Sequence, residues 1–226
     1  MTCLNAARFA FAARALKRAQ TRLSARGLAT AATPSASASA EQLPVERYDI
    51  VIVGGGPSGC TLASALGSAK ALGHMRIALV DSGKLSETRS WEPPADTFLN
   101  RTLQITASNK RYLEKVGSWN ACHTERVQPY DRVVALDGSG SGKIELNTPS
   151  GEVSAAYMIE TKNLVSGMLK FIDTQGANID VFEKAKVTGI ARETGPVDWP
   201  VVTLGNKHRL QARLLVGTDG GNSSVR

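Results

Sequence analysis

The sequence predicts an α/β fold in which a parallel-sheet domain begins, is interrupted by strands of a second, partial β-sheet, and then resumes. Three observations predict it. A β-branched apolar run, Tyr48 to Val53, leads through a glycine-rich turn and a helical stretch to a second apolar run, Arg76 to Val80. From residue 127 the pattern changes to short alternating runs, RVVALD, GKIELNT and AAYMI. Near the end, Leu214-Leu215-Val216 returns to the character of a buried strand.

The first run, YDIVIV, has the composition of a parallel strand covered on both faces. It enters Gly54-Gly55-Gly56-Pro57-Ser58-Gly59, in which Gly54, Gly56 and Gly59 satisfy GxGxxG. Gly54 permits the tight turn, Gly56 lets the backbone approach a pyrophosphate, and Gly59 lets the helix lie close on the strand. Pro57 and Ser58 open the helix, whose first N–H groups and positive dipole end suit phosphate. Leu62, Ala65, Leu66 and Ala69 recur at helical spacing, and the second strand ends in Asp81, 22 residues beyond Gly59. A carboxylate there can accept both hydroxyls of an adenosine ribose. Strand, turn, helix, strand and acid in register predict dinucleotide binding. Asp81 would repel a 2′-phosphate, which argues against NADP; the unit admits either NAD or FAD.

A polar stretch containing Pro93-Pro94 follows as a surface excursion, and Arg101 stands just before a predicted helix from about Ser108 to Val116. Tyr112, Leu113 and Val116 give that helix its apolar face, and Gly117 is its stop. Asp137-Gly138-Ser139-Gly140-Ser141-Gly142 joins the first two alternating runs as a hairpin. A helix from Lys162 to Thr174 carries Leu164, Val165, Met168, Leu169 and Ile172 on one side. NIDVFE, AKVTGIARE, PVVTLG and HRLQARLLVGTD then read as strands.

The net charge of +7 is concentrated at the start: Arg8, Arg14, Lys17, Arg18, Arg22 and Arg26 precede the first acid, Glu41. Without those six, 21 basic residues face 20 acidic ones, so a nucleic-acid binder is not expected. Residues 1–28 are rich in Arg and Ala, with no acid and no long apolar core, the composition of a mitochondrial transit peptide with cleavage expected after Leu28. Residues 29–46 read as a flexible linker. Cys3, Cys60 and Cys122 show no metal-ligand spacing, and His74, His123 and His208 are scattered, so neither a metal site nor a nucleophile is expected.

The segment Gly217-Thr218-Asp219-Gly220-Gly221-Asn222-Ser223-Ser224-Val225-Arg226 resembles the GxDGxxSxVR segment of the class A flavin monooxygenases, the flavoprotein aromatic hydroxylases. With GGGPSG, Asp81 and Arg101, it resembles that family's Rossmann-like FAD-binding half. The resemblance implies FAD as cofactor. It also implies that Arg101 contacts the nucleotide part, and that Asp219 and Gly220 approach the ribityl–pyrophosphate region. Within the family, YDIVIVGGGPSG, KLSET, NRTLQIT, LEKVGSW, YMIETKNLVSGML and LQARLLVGTDGGNSSVR are most similar to the ubiquinone-biosynthesis monooxygenases. IETKN stands where a VEN motif is usual, so no flavin contact is assigned to Glu160.

The resemblance divides the chain into a transit peptide (1–28), a linker (29–46), a first part of the FAD-binding domain (47–126), partial substrate-domain strands (127–160) and a return to the FAD-binding domain (161–226). It implies hydroxylation of the ring of a polyprenylated phenol on the matrix face of the inner mitochondrial membrane, beside other ubiquinone-biosynthesis proteins. Peripheral membrane association and electrons from a ferredoxin system are implied too. In the family the segment matching 217–226 lies partway along the protein, so an N-terminal portion inactive by itself is expected, and no catalytic residue is named. The other readings are a different FAD- or NAD-dependent oxidoreductase and a non-catalytic nucleotide-binding remnant.

Overall fold

In a computed structural model that describes residues 44–175, 178–192 and 198–226, the chain begins with β1 (Val45–Val53), α1 (Pro57–Ser68), β2 (Ile77–Val80) and a short α2 (Leu85–Arg89). It continues through β3 (Thr102–Thr106), α3 (Ala107–Val116), β4 (Gln128–Tyr130), β5 (Arg132–Leu136), β6 (Lys143–Asn147) and β7 (Ala156–Glu160). Helix α4 (Thr161–Gln175) and strands β8 (Ile179–Phe182), β9 (Val187–Arg192), β10 (Pro200–Leu204) and β11 (Arg209–Gly217) complete it. The transit-peptide segment and the linker up to residue 43 lie outside the described residues. Strand β1 starts at Val45, inside the predicted linker, because residues 45–48 pair in register with Arg209–Ala212.

The main sheet has the order β8-β2-β1-β11-β10-β9. Its first four strands run parallel, and β10 and β9 add an antiparallel pair. Residues 50–53 and 77–80 are buried throughout, as expected of parallel strands covered on both faces. Ile50, Ile52, Ile77 and Leu79 pack with Leu164, Met168, Leu169 and Ile172 of α4 and with Cys60 and Ala63 of α1. Val51, Val53, Ala78 and Val80 meet Ala185, Val202, Leu204 and Leu210 on the other side. The alternation of strand side chains thus sends one set into each core.

Two features depart from the sequence expectations, and one expected feature stands apart from the rest of the fold. Strand β3 lies in the segment assigned to the first part of the FAD-binding domain, yet it forms a separate small sheet of order β3-β7-β4. The expected β5–β6 hairpin forms, as a two-stranded ribbon of its own with Leu136, Ile144 and Leu146 exposed. The run Leu214–Val216 is not a buried strand: Leu214 is 53% exposed, and burial in β11 falls on residues 210–212. The pairing explains this, since β10 accompanies β11 only over residues 209–211, and beyond that β11 is paired on one side, by β1.

Helix α3 starts one residue earlier than the periodicity suggests. The Thr106 hydroxyl caps it by accepting from the Asn109 N–H, and Gly117 ends it in the left-handed conformation at φ 100°.

Candidate nucleotide-binding site

The turn between β1 and α1 is held by backbone geometry. Gly54 adopts φ 113°, and its N–H donates to the Val80 carbonyl at 2.7 Å. A Cβ on Gly54 would lie 2.5 Å from the Thr218 backbone, so a side chain here is excluded by conformation and by contact together. Gly59 is closed off as well: its Cβ would stand 1.8 Å from the Gly54 carbonyl oxygen. Gly56 is the opposite case. It has ordinary extended backbone, φ −77°, and a Cβ built on it meets nothing within 4 Å. Its bareness serves open space, which is what close approach of a ligand needs. Pro57 takes the first position of α1, and no side chain caps that N-terminus. The first N–H groups of the helix are therefore left for a ligand or water.

Two carboxylates flank this turn. Asp81, at the end of β2, accepts the Gly55 N–H through Oδ2 at 2.6 Å and the Gly83 N–H through Oδ1 at 2.6 Å. Asp219, after β11, accepts the Ser223 hydroxyl at 2.5 Å and the Ser224 N–H at 2.6 Å. Partial burial pushes the Asp219 carboxyl up, but the bonds from Ser223 and Ser224 outweigh it and hold the group below the usual aspartate range. An ionised carboxylate has about four acceptor positions, so both keep capacity for a ligand hydroxyl.

Gly54, Gly56, Pro57, Ser58, Asp81, Asp219 and Gly220 line one cavity of about 550 Å³ at the carboxyl ends of β1 and β2. Of the other expected site residues, Gly59 lies beneath the turn as a packing contact. Arg101 lines a neighbouring cavity of about 470 Å³ with Lys162, Thr88 and Asn100. The two cavities share Gly56 and Pro57. Arg101 is exposed, and its guanidinium has no partner among the described residues.

Sequence reasoning missed Thr218 and Lys186. The Thr218 hydroxyl bonds to the Val53 and Gly54 carbonyls at 2.8 and 2.9 Å, tying the two ends of the site together. Lys186 enters the first cavity because the Ala185 N–H bonds the Asp81 carbonyl, which draws the start of β9 under β2. Thr218 is signalled only by its place within GTDGG; no local signal marks Lys186.

No group of three or more His, Cys, Asp or Glu able to hold a metal occurs among the described residues. Cys60 lies under the turn with its thiol 3.2 Å from the Gly55 carbonyl oxygen. Burial first, and then Asp81, push that thiol up to about 12, so it is a packing group and not a nucleophile. An open glycine, an uncapped helix start and two carboxylates with spare acceptors suit the polyol and pyrophosphate of a dinucleotide.

The family described as FAD binding domain matches residues 47–226. The ubiquinone biosynthesis monooxygenase COQ6 of Saccharomyces cerevisiae is 34% identical over 91% of this chain and 41% of its own length. Its namesake in Schizosaccharomyces pombe is 27% identical over 80% of this chain and 38% of its own. The chain thus spans about two fifths of the length of the curated relatives it matches. Among solved structures, PqsL of Pseudomonas aeruginosa superposes with a TM-score of 0.59 at 20% identity, covering 80% of this chain and 45% of PqsL. The p-nitrophenol 4-monooxygenase PnpA of Pseudomonas putida gives 0.59 at 17% identity, over 80% and 43%. These two establish likeness of fold.

Proposed function

The chain belongs to the family of FAD-binding domains matched along residues 47–226, and from that premise we propose that it supplies the FAD-binding part of a mitochondrial flavin monooxygenase of ubiquinone biosynthesis. The substrate in this reading is a polyprenylated phenol. The carrying observation is the open position at Gly56, set between the Asp81 and Asp219 carboxylates at an uncapped helix start.

In this reading Asp81 accepts the adenosine ribose hydroxyls, and the first N–H groups of α1, at Ser58 and Gly59, receive the pyrophosphate that Gly56 lets approach. Asp219 and Gly220 hold the ribityl side, and Arg101 offers charge-assisted bonds to the phosphates across the Gly56–Pro57 turn. When bound, FAD supplies the oxygen chemistry of ring hydroxylation, and the protein binds, orients and keeps water away. Work at the matrix face of the inner membrane, among other ubiquinone-biosynthesis proteins and with a ferredoxin as electron donor, belongs to the same proposal. It rests on the likeness to the COQ6 proteins.

Titration of the flavin-free protein with FAD, followed by absorbance and fluorescence, tests the reading. Saturable one-to-one binding with a shifted flavin band, weakened in Gly56→Val, is the expected result. Binding of NAD in preference to FAD, or no saturable binding of either, would overturn it.

A further inference from the structure

Arg126 and Glu160 form a buried ion pair away from the nucleotide cavity, with side chains 9% and 2% exposed. Arg126 donates Nε to Glu160 Oε2 at 2.9 Å and Nη2 to Oε1 at 2.8 Å, a two-pronged contact. The guanidinium has further work. Its Nη1 donates to the Pro94 carbonyl at 3.0 Å, and Nη2 donates to the Thr97 carbonyl at 2.8 Å. The Phe98 ring stacks on it, 3.9 Å from ring centre to guanidinium carbon. Glu160 completes the grip by accepting the Leu99 N–H at 2.6 Å. Next in the chain, the Thr161 N–H donates to the carbonyl of Arg101 at 2.9 Å, and Thr102 pairs with Glu160 where β3 meets β7.

The contacts to Pro94, Thr97, Phe98, Leu99 and Arg101 hold the excursion between Pro94 and Arg101. Such a pair is an expensive way to pin a surface loop, since both charges leave water to do it. A loop that only connected two elements would not need a buried guanidinium on two of its carbonyls. The loop delivers Arg101, which has no side-chain partner among the described residues, to the cavity it shares with Gly56 and Pro57.

We propose that Arg126 and Glu160 are positioning residues for the cofactor site: they clamp the 94–101 loop so that Arg101 is held ready for the phosphates of the dinucleotide. This rests on the FAD reading given above for Arg101. The bound nucleotide then does not have to order that loop itself, and the affinity Arg101 contributes depends on the clamp.

A double-variant cycle tests this on the intact protein, with the FAD dissociation constant as readout. Arg101→Ala is expected to weaken FAD about tenfold or more, the loss of a charge-assisted bond. Arg126→Gln should weaken it to a similar degree, and the pair together should be no worse than Arg126→Gln alone within about twofold. Arg126→Lys, which keeps the charge but not the fork, should restore little. Losses that multiply in the double variant overturn the positioning role and leave the FAD reading standing. An Arg101→Ala variant that binds FAD as the parent does overturns the Arg101 assignment and this inference with it. Should Arg126→Gln fail to fold, Glu160→Gln, which can still accept from Leu99, serves in the same cycle. Hydrogen exchange at the Leu99 amide of the parent is an independent check: protection is expected, and exchange at the rate of an open loop overturns the clamp.

Discussion

A Cβ placed on Gly59 would stand 1.8 Å from the carbonyl oxygen of Gly54, so the first turn of α1 rests directly on the end of β1. Backbone meets backbone there, and no rotamer change relieves the overlap. Gly59→Ala is expected to destabilise the protein by about 3 kcal/mol or more, the upper range for single substitutions. Denaturant unfolding of the variant beside the parent measures it; a difference within error would mean that the turn relaxes freely.

Gly56→Ala should do the reverse. Its backbone is ordinary and its Cβ meets nothing, so stability should stay within about 0.5 kcal/mol of the parent. FAD binding should fall about tenfold or more, since the methyl occupies space the ligand needs. Thermal unfolding and flavin titration on one preparation separate the two effects.

Asp81→Asn removes one of two acceptors, because an amide offers a single oxygen to the Gly55 and Gly83 N–H groups that the carboxylate holds at 2.6 Å each. A loss of about 1–3 kcal/mol in stability is expected from the bond left unmade. Weaker FAD binding should accompany it, and Asp81→Ala should lose more of both.

Acid should unfold the protein through carboxylates held below their usual range. Hydrogen bonds from Arg126 do this for Glu160, and the Ser86 backbone N–H does it for Glu183. At Asp219 the bonds from Ser223 and Ser224 overcome an opposing burial effect. A group depressed in the folded state stabilises fully above its unfolded value, ordinarily 4.5 for Glu and 3.8 for Asp, and stops doing so as pH falls through the folded value. The melting temperature should therefore be flat above about pH 5 and fall as the pH drops below about 4.5. Glu160→Gln should fall less steeply across that window; an unchanged slope would remove Glu160 from the account.

Cys60 and Cys122 should resist thiol reagents in the native protein at pH 8. Burial comes first in pushing each thiol up to about 12, and neither side chain is accessible. Labelling in the native state and again in denaturant counts them, and rapid native labelling of either would contradict the packing.

What local spacing carries was legible in the sequence. The tight strand-to-helix turn at residues 54–59 could be read because the fit of Gly54, by its positive φ, and of Gly59, against Gly54, depends on immediate neighbours. Strands β1 and β2, helix α4 and the glycine stop of α3 followed from periodicity and composition, which are local too. Strand β3 was missed although Leu103 and Ile105 alternate with Thr102, Gln104 and Thr106, because five residues give the period-2 pattern little length to show itself.

By itself the sequence determined the βαβ start, the acid at its end and the family to which the chain belongs, since all three reside in residue types at fixed separations. Tertiary structure alone decided how the distant parts meet. Parallel pairing of β1 with β11 brings Thr218 and Asp219 onto the Gly54 turn across more than 160 residues. The end of β10 pairing leaves Leu214 in solvent although its composition is that of a core strand. Arg126 reads in the chain as any surface arginine, and it becomes a clamp only where β7 presents Glu160 and the 94–101 loop passes over it. Burial, pairing and charge compensation depend on what lies opposite a residue in space, and no local pattern records that partner.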